Sequence, residues 1–232
     1  MFYKVKNILF ILLITLFLQE QNNAQSVCSQ DSMYLAIEEP NLYGKLFVNP
    51  YIGNETQYHL PWLYGDITLT NGQVAKNEYL RYNGFLDEIL WIRSTDYKTV
   101  IIERNSIESC VLYDKSGSVS AKYRKEDVKD IIWEFEDDVF MQVLAEGQVE
   151  LLIYRKVAVI KYSDEIYYDF HYYTKTGETM TRFMPQRWKI YRILPQYKKE
   201  LRSIIHKFHL NPKRSENDLI LLFKELNSRI SE

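Results

Sequence analysis

The chain has 232 residues, a formal net charge of −2 at neutral pH, 19 tyrosines and two cysteines. A chain of this length can bury a sizeable core, either as one domain or as two small ones. Its near-neutral, mixed charge gives no electrostatic reason to bind nucleic acid or an anionic membrane. We therefore expect neither as a partner.

The first 24 residues have the pattern of a secretory signal peptide. Lys4 and Lys6 precede an apolar run over residues 8–18, and a polar stretch begins at Gln19. A basic start, a short apolar segment and a small residue before a polar stretch are typical of leaders that are cleaved on export. The run is shorter than the roughly 20 residues that span a bilayer. This favours cleavage after Ala24 over an N-terminal membrane anchor, and it predicts a secreted mature chain with no transmembrane span.

Residues 25–60 are weakly patterned and are interpreted as an N-terminal arm with one short strand at Lys45–Val48. This arm contains Cys28, and Cys110 lies near the middle of the chain. An oxidising compartment permits a disulfide between them, but sequence spacing does not establish the distance between the two Cα atoms. Cys28 and Cys110 are therefore a candidate disulfide, and the unpaired state stays open.

The body of the chain, residues 61–193, has the pattern of an antiparallel β-meander. Short alternating runs are broken at Asn71-Gly72 and at Asn83-Gly84, and these dipeptides tolerate the positive φ values of tight hairpin turns. Several short strands joined by tight turns are typical of small barrels and sandwiches. We predict a mainly β fold in which antiparallel meanders form a small barrel or sandwich.

This body divides into two stretches of similar length and turn spacing, residues 61–123 and 131–193. The last strand predicted in the second stretch is Trp188–Ile193. No residue-level repeat relates the two stretches, so one β-rich body and two β-rich halves both stay open.

Residues 196–232 are predicted to form a C-terminal pair of α-helices. Two apolar stripes have the spacing of amphipathic helices, and Ser215 with Asp218 three residues later has the pattern of a helix start. The first stripe contains Leu201, Ile204, Ile205 and Phe208; the second contains Leu219, Leu222, Phe223, Leu226 and Ile230. We expect the pair to pack against the sheet, and a partner-binding helical hairpin is the alternative.

No residue set forms a catalytic signature, a metal site or a cofactor site. Hydrolase, metalloprotease and phosphate-binding motifs are absent from the sequence. His206 and His209 are three residues apart but have no nearby residues that complete a ligand set. Acidic pairs such as Asp87-Glu88 are adjacent, so on a strand they would point to opposite faces. We expect no metal and no cofactor, and we assign no catalytic residue.

One predicted strand carries a candidate ligand face. Period-two alternation places Tyr167, Asp169, His171 and Tyr173 together on one side of the strand that starts at Ile166. Aromatic surface beside hydrogen-bonding groups suits a sugar or a peptide. The alternative is an ordinary solvated sheet face in a tyrosine-rich protein.

Several short motifs are similar to those of a known group of proteins. They are Gly65-x-Ile67-x-Leu69-x-Asn71-Gly72, Tyr79-Leu80-Arg81-Tyr82-Asn83, Asp87-Glu88 and Val143-Leu144-Ala145-Glu146-Gly147. With the helical pair, they resemble an uncharacterised family of exported, β-rich cell-envelope proteins of Bacteroidota. The resemblance implies a β-rich fold and a location in the periplasm or on the periplasmic face of the outer membrane. It implies no activity and no catalytic residues.

These observations favour a non-enzymatic envelope protein that binds a protein or a glycan. Tyrosine and arginine, which favour interfaces, support this interpretation. The alternative is a carbohydrate-active hydrolase with an unrecognised carboxylate pair, because carboxylates that are distant in sequence can meet in space.

Overall fold

The computed structural model describes residues 42–48, 57–128, 138–160 and 165–231. The chain divides into two units, residues 1–39 and 40–232, and every described residue belongs to the second. The predicted signal peptide with its cleavage site, and Cys28, therefore lie outside the described residues.

In the described ranges, eleven strands form a single antiparallel sheet. They are β1 (Gly44–Leu46), β2 (Leu63–Leu69), β3 (Val74–Asn83), β4 (Glu88–Ile92), β5 (Thr99–Ile102), β6 (Ile107–Tyr113), β7 (Val119–Glu126), β8 (Val139–Ala145), β9 (Glu150–Val159), β10 (Ile166–Thr176) and β11 (Thr179–Phe183). Their order is β1-β5-β4-β3-β2-β6-β7-β8-β9-β10-β11. The predicted mainly β, antiparallel fold is confirmed, and the sheet is not closed into a barrel.

The first half of the sheet is strongly curled, and the connection from β5 to β6 requires this. In a flat sheet four strand steps of about 4.8 Å would place β5 and β6 about 19 Å apart. Residues 103–106 join the two strands. Fully extended, this link would span roughly 17 Å. It spans less than that, because it contains the 3-10 turn Arg104–Ser106. The pairing of β2 with β6 continues past the strand ends, where the backbone N of Thr70 donates to the carbonyl of Ser106 at 2.9 Å.

The curl encloses a buried apolar core. Its members come from β2 through β8: Ile67, Leu69, Ala75, Leu80, Tyr82, Ile89, Ile102, Ile107, Cys110, Leu112, Ala121, Tyr123 and Phe140. Tyr82 and Tyr123 stack at its centre with their ring centroids 4.5 Å apart. Alternation along each strand thus places one set of side chains inside the curl.

Both predicted turns form, but positive φ explains the glycine at only one of them. Gly72 has a φ of 83° in the β2–β3 hairpin, a conformation that glycine adopts without steric cost. Gly84 has a different role: a Cβ there would lie 2.3 Å from the carbonyl oxygen of Arg155. Glycine at this position lets the β3–β4 turn approach the backbone of β9.

The chain ends in helices α1 (Arg187–Ile193), α2 (Lys198–Lys207) and α3 (Glu216–Ile230), with the 3-10 turn Pro195–Tyr197 between the first two. The C-terminal helical pair is confirmed as α2 and α3. The Oγ of Ser215 accepts from the backbone N of Asp218 at 3.1 Å, as the start pattern predicts. None of the helices that the structure describes has the length and apolar character needed to cross a bilayer.

The helices pack on the second half of the sheet and form a second core with it. This core contains Ala145, Val149, Leu151, Phe183, Ile190, Leu194, Leu201, Ile204, Ile205, Leu210, Leu219, Leu222, Phe223 and Leu226. The prediction of a strand at Trp188–Ile193 is wrong, because this stretch belongs to α1. The apolar residues of this stretch fit both the period of a strand and the period of a helix. The buried residues Ile190 and Leu194 are four apart, which places them on one face of a helix.

Candidate functional site

Strand β10 carries the predicted ligand face and brings only part of it to the surface. Tyr167 is 44% exposed, whereas Asp169 and His171 are half-buried. Tyr173 is fully buried in a cluster with Leu152, because the C-terminal half of β10 lies between β9 and β11 in the sheet. The predicted face is thus corrected at Tyr173, which is a core residue.

The N-terminal half of β10 has an open edge. On one side β9 pairs with β10 from Ile166 to Lys175. On the other side β11 pairs only with Tyr172–Thr176, because the chain leaves the sheet after Phe183. Among the described residues no strand pairs with the second edge of Ile166–His171, so backbone N–H and C=O groups are presented there.

A cleft of about 500 Å³ lies beside this edge. One wall is formed by residues 169–172 of β10. The other consists of the end of β11, the turn that follows it and α1, which contribute Arg182, Met184, Lys189, Arg192 and Ile193. The volume falls within the range of known small-molecule sites. Asp169 and His171 are thus brought together with residues that the sequence did not indicate.

His171 lies between Asp169 and Arg182. Its Nε2 is 3.2 Å from Oδ2 of Asp169, and its Nδ1 contacts Nη2 of Arg182. A guanidinium only donates, so Nδ1 accepts and the neutral ring carries its proton on Nε2, from which it donates to Asp169. Burial, and then the positive charge of Arg182, lowers the pKa of His171. The ring is therefore neutral at neutral pH, and it links the two charged groups.

Helix α1 brings two more positive charges to the cleft, Lys189 and Arg192. The Nζ of Lys189 lies 4.2 Å and the Cζ of Arg192 lies 5.4 Å from the ring centroid of Trp188, an exposed residue. Within the described ranges, neither cation forms an ion pair, and neither does Arg182. The cleft is therefore positively charged, although the whole chain carries a charge of −2.

No family model, curated protein or solved structure matches this chain. The resemblance to exported Bacteroidota proteins rests on its motifs alone and stays a prediction.

Buried Asp87 and half-buried Glu88 form an ionic cluster with Arg104. The Oδ2 of Asp87 lies 2.9 Å from Nη1 of Arg104, and Oε1 of Glu88 lies 3.7 Å from its Nε. The alternation expected of two neighbours in a strand does not apply here, because Asp87 precedes β4 and has a φ of 55°. Asp87 also accepts from the Tyr82 hydroxyl and from the backbone N of Phe140. These contacts tie the β3–β4 turn to β8, which is a structural role.

A second ion pair, between buried Arg155 and half-buried Glu216, joins α3 to the sheet. Arg155 on β9 is fully buried, and its Nη1 and Nη2 lie 3.0 and 2.7 Å from the two carboxylate oxygens of Glu216. The Tyr172 hydroxyl donates to the same carboxylate at 2.9 Å. Nearby, burial and the charge of Arg155 lower the pKa of His59 to about 4. Sequence reasoning missed this cluster because its members are far apart in the chain.

The remaining candidates lie away from the cleft. Cys110 is fully buried in β6, and burial raises the pKa of its thiol; its pairing with Cys28 stays a prediction. His206 and His209 are exposed at the end of α2 with ring centroids 6.4 Å apart. His209 has a φ of 54°, the left-handed conformation that ends many helices. The described part of the chain contains no group of three residues able to hold a metal.

Proposed function

We propose that this protein is an exported, non-enzymatic binding module of the cell envelope that takes up an extended segment of a partner protein along the open edge of β10. The observation that supports the proposal is the open edge of Ile166–His171 beside the cleft. An extended peptide that joins a sheet edge forms main-chain hydrogen bonds, and adjacent pockets for its side chains give specificity. Export and envelope location are supported by the leader pattern and by the motif resemblance.

A peptide fits this edge better than a glycan does. The open edge presents backbone donors and acceptors at the spacing of a β-strand, which an added strand matches. Tyr167 and Tyr168 are 44% and 50% exposed and lie on opposite faces of β10. An added strand places alternate side chains on both faces and can contact both rings, whereas a sugar that stacks on one platform contacts one of them.

The hydrolase alternative has less support in the cleft. Glycosidases use two carboxyl groups about 5 to 10 Å apart across the bond that is cleaved. Among the described residues that line the cleft, Asp169 is the single carboxylate, and it accepts from His171. Asp87 and Glu88 share one half-buried guanidinium, that of Arg104, elsewhere in the molecule.

A displayed library of seven-residue peptides, selected on the mature protein, tests the proposal. A selected peptide should be held by backbone hydrogen bonds, each worth about 1 kcal/mol, or roughly fivefold in affinity. N-methylation at alternate positions of the peptide should therefore weaken binding at least that much, and the intervening positions should tolerate it. Hydrogen exchange should show new protection within Ile166–His171 when the peptide is added.

The paired substitution Tyr167→Ala with Tyr168→Ala should weaken the peptide, because both faces of the added strand lose a contact. Tyr97→Ala is the matched control, since Tyr97 is exposed on the β4–β5 turn away from the cleft. Binding that is insensitive to N-methylation, or a neutral oligosaccharide that binds where no peptide does, would rule out strand addition.

A further inference from the structure

We infer that the segment bound beside β10 is acidic and that Arg182, Lys189 and Arg192 hold its carboxylate. The inference rests on the proposed strand addition and names the chemistry of the partner residue that enters the cleft. The supporting observation is that three positively charged side chains, one from β11 and two from α1, line the cleft at one end of the open edge.

The cleft cations differ from three arginines that form ion pairs elsewhere in the fold. Arg104, Arg124 and Arg155 each lie within 3 Å of a carboxylate oxygen, at 2.9, 2.6 and 2.7 Å from Asp87, Glu150 and Glu216. Within the described residues, the three cleft cations have no such carboxylate. Positive charges that converge without a counter-ion favour an anionic ligand.

Asp169 does not neutralise this site. Its Oδ2 accepts from His171 at 3.2 Å, and Lys156 lies directly opposite Asp169 on β9. The negative charge of Asp169 therefore faces the sheet partners of β10 as well as the cleft. The cleft is lined by three cations and one carboxylate, and that carboxylate is already bound to His171, so the cleft carries a net positive charge.

Arg182 can bind a carboxylate while it keeps its contact with His171. A guanidinium has five N–H donors in a planar fork that matches the two oxygens of a carboxylate. The contact with His171 uses Nη2, which leaves donors on the other nitrogens. His171 is thus a positioning residue that orients the fork, whereas Lys189 and Arg192 add charge from the opposite wall.

The experiment uses the selected peptide in two forms that differ only at its acidic residue, one with Glu and one with Gln. Charge-assisted hydrogen bonds predict that the Glu peptide binds wild-type protein about tenfold or more tightly than the Gln peptide. Arg182→Gln should remove most of this preference, and Lys189→Gln and Arg192→Gln should each reduce it. Raising the salt concentration should weaken the Glu peptide more than the Gln peptide.

Lys198→Gln and Arg214→Gln are matched controls, because both residues are exposed cations outside the cleft lining. Both should retain the full preference for Glu. His171→Gln adds a readout of positioning: it should reduce the Glu preference while the affinity for the Gln peptide stays unchanged.

A second probe separates this inference from the proposed function. Glutarate, a small diacid, and its neutral diamide are titrated into labelled protein and followed by NMR. If the two peptides bind equally well, the inference is overturned and strand addition stands. If no peptide binds but glutarate alone shifts the cleft signals in wild type and not in Arg182→Gln, the anion preference stands and strand addition fails. If neither probe binds, both are overturned.

Discussion

Glu88 is held in surroundings that disfavour its charge. Burial raises the pKa of its carboxyl to about 7, although Arg104 lies 3.7 Å away and opposes the shift. In the unfolded chain the carboxyl titrates near its ordinary value of 4.5. Between these values the folded protein binds more protons than the unfolded chain. The stability that Glu88 contributes is therefore fully present at acidic pH and is lost as the pH rises through about 7.

We predict that Glu88→Gln changes the pH dependence of the free energy of unfolding. The amide cannot titrate, so the variant should gain stability relative to wild type as the pH rises from about 5 to 7.5. Urea unfolding at several pH values measures this difference. Glu108→Gln, which removes an exposed carboxyl from β6, should run parallel to wild type. If the stability of Glu88→Gln also ran parallel to that of wild type across this pH range, the raised pKa of Glu88 would be ruled out.

His59 changes the pH dependence of stability in the opposite direction to Glu88, so wild type alone does not isolate the contribution of Glu88. Its pKa is lowered to about 4, so the unfolded chain binds more protons between about pH 4 and 6.5. The contribution of His59 is therefore present above the unfolded value and is lost as the pH falls through 4. In wild type the opposite slopes of His59 and Glu88 partly cancel. Both shifts depend on burial by distant residues, which no local sequence pattern reveals.

At the scale of elements, the sequence predicted the helices and turns whose formation depends on local periodicity. The stripes of α2 and α3 and the turn at Gly72 need only neighbours within a few residues. Helix α1 was missed because its apolar residues fit both a strand and a helix, and packing of Ile190 against the second core decides between them. The error hid half of the cleft, since Lys189 and Arg192 lie on α1.

Asn227 connects α3 to the β8–β9 hairpin. Its Nδ2 donates to the carbonyls of Glu146 and Val149 at 3.1 and 2.8 Å, and its Oδ1 accepts from the backbone N of Val149 at 3.0 Å. The side chain is buried. Asn227→Ala leaves these backbone groups without partners, so we expect a loss of about 2 to 3 kcal/mol of stability. Urea or thermal unfolding measures it.

Asn217→Ala is the matched control, because Asn217 is exposed on the same helix and should change the stability little. The neighbouring glycine gives a second measurement. A Cβ at Gly147 would lie 2.4 Å from Cγ of Asn227, so Gly147→Ala should cost less in the Asn227→Ala background than in wild type. Equal costs in both backgrounds would show that the two residues do not meet.

At the scale of the whole molecule, the β3–β4 turn joins the first half of the sheet to the second. The carbonyl of Gly84 accepts from the backbone N of Val157 at 2.9 Å, and Asp87 accepts from the backbone N of Phe140. These pairs are separated by more than 50 residues, so the sequence left one body and two halves equally open. Contacts between the halves predict that both unfold in one cooperative transition.

Cys110 lies in the first core and the helices pack on the second, so two probes can test this prediction in one Cys28→Ser protein. Thiol labelling of Cys110 and far-UV circular dichroism of the helices should give the same denaturant midpoint. Gly84→Ala should lower both midpoints together, by about 1 to 3 kcal/mol of stability, because the added methyl group collides with the β9 backbone. If the halves were independent, the variant would separate the two curves, and Cys110 would become reactive while the helices remained folded.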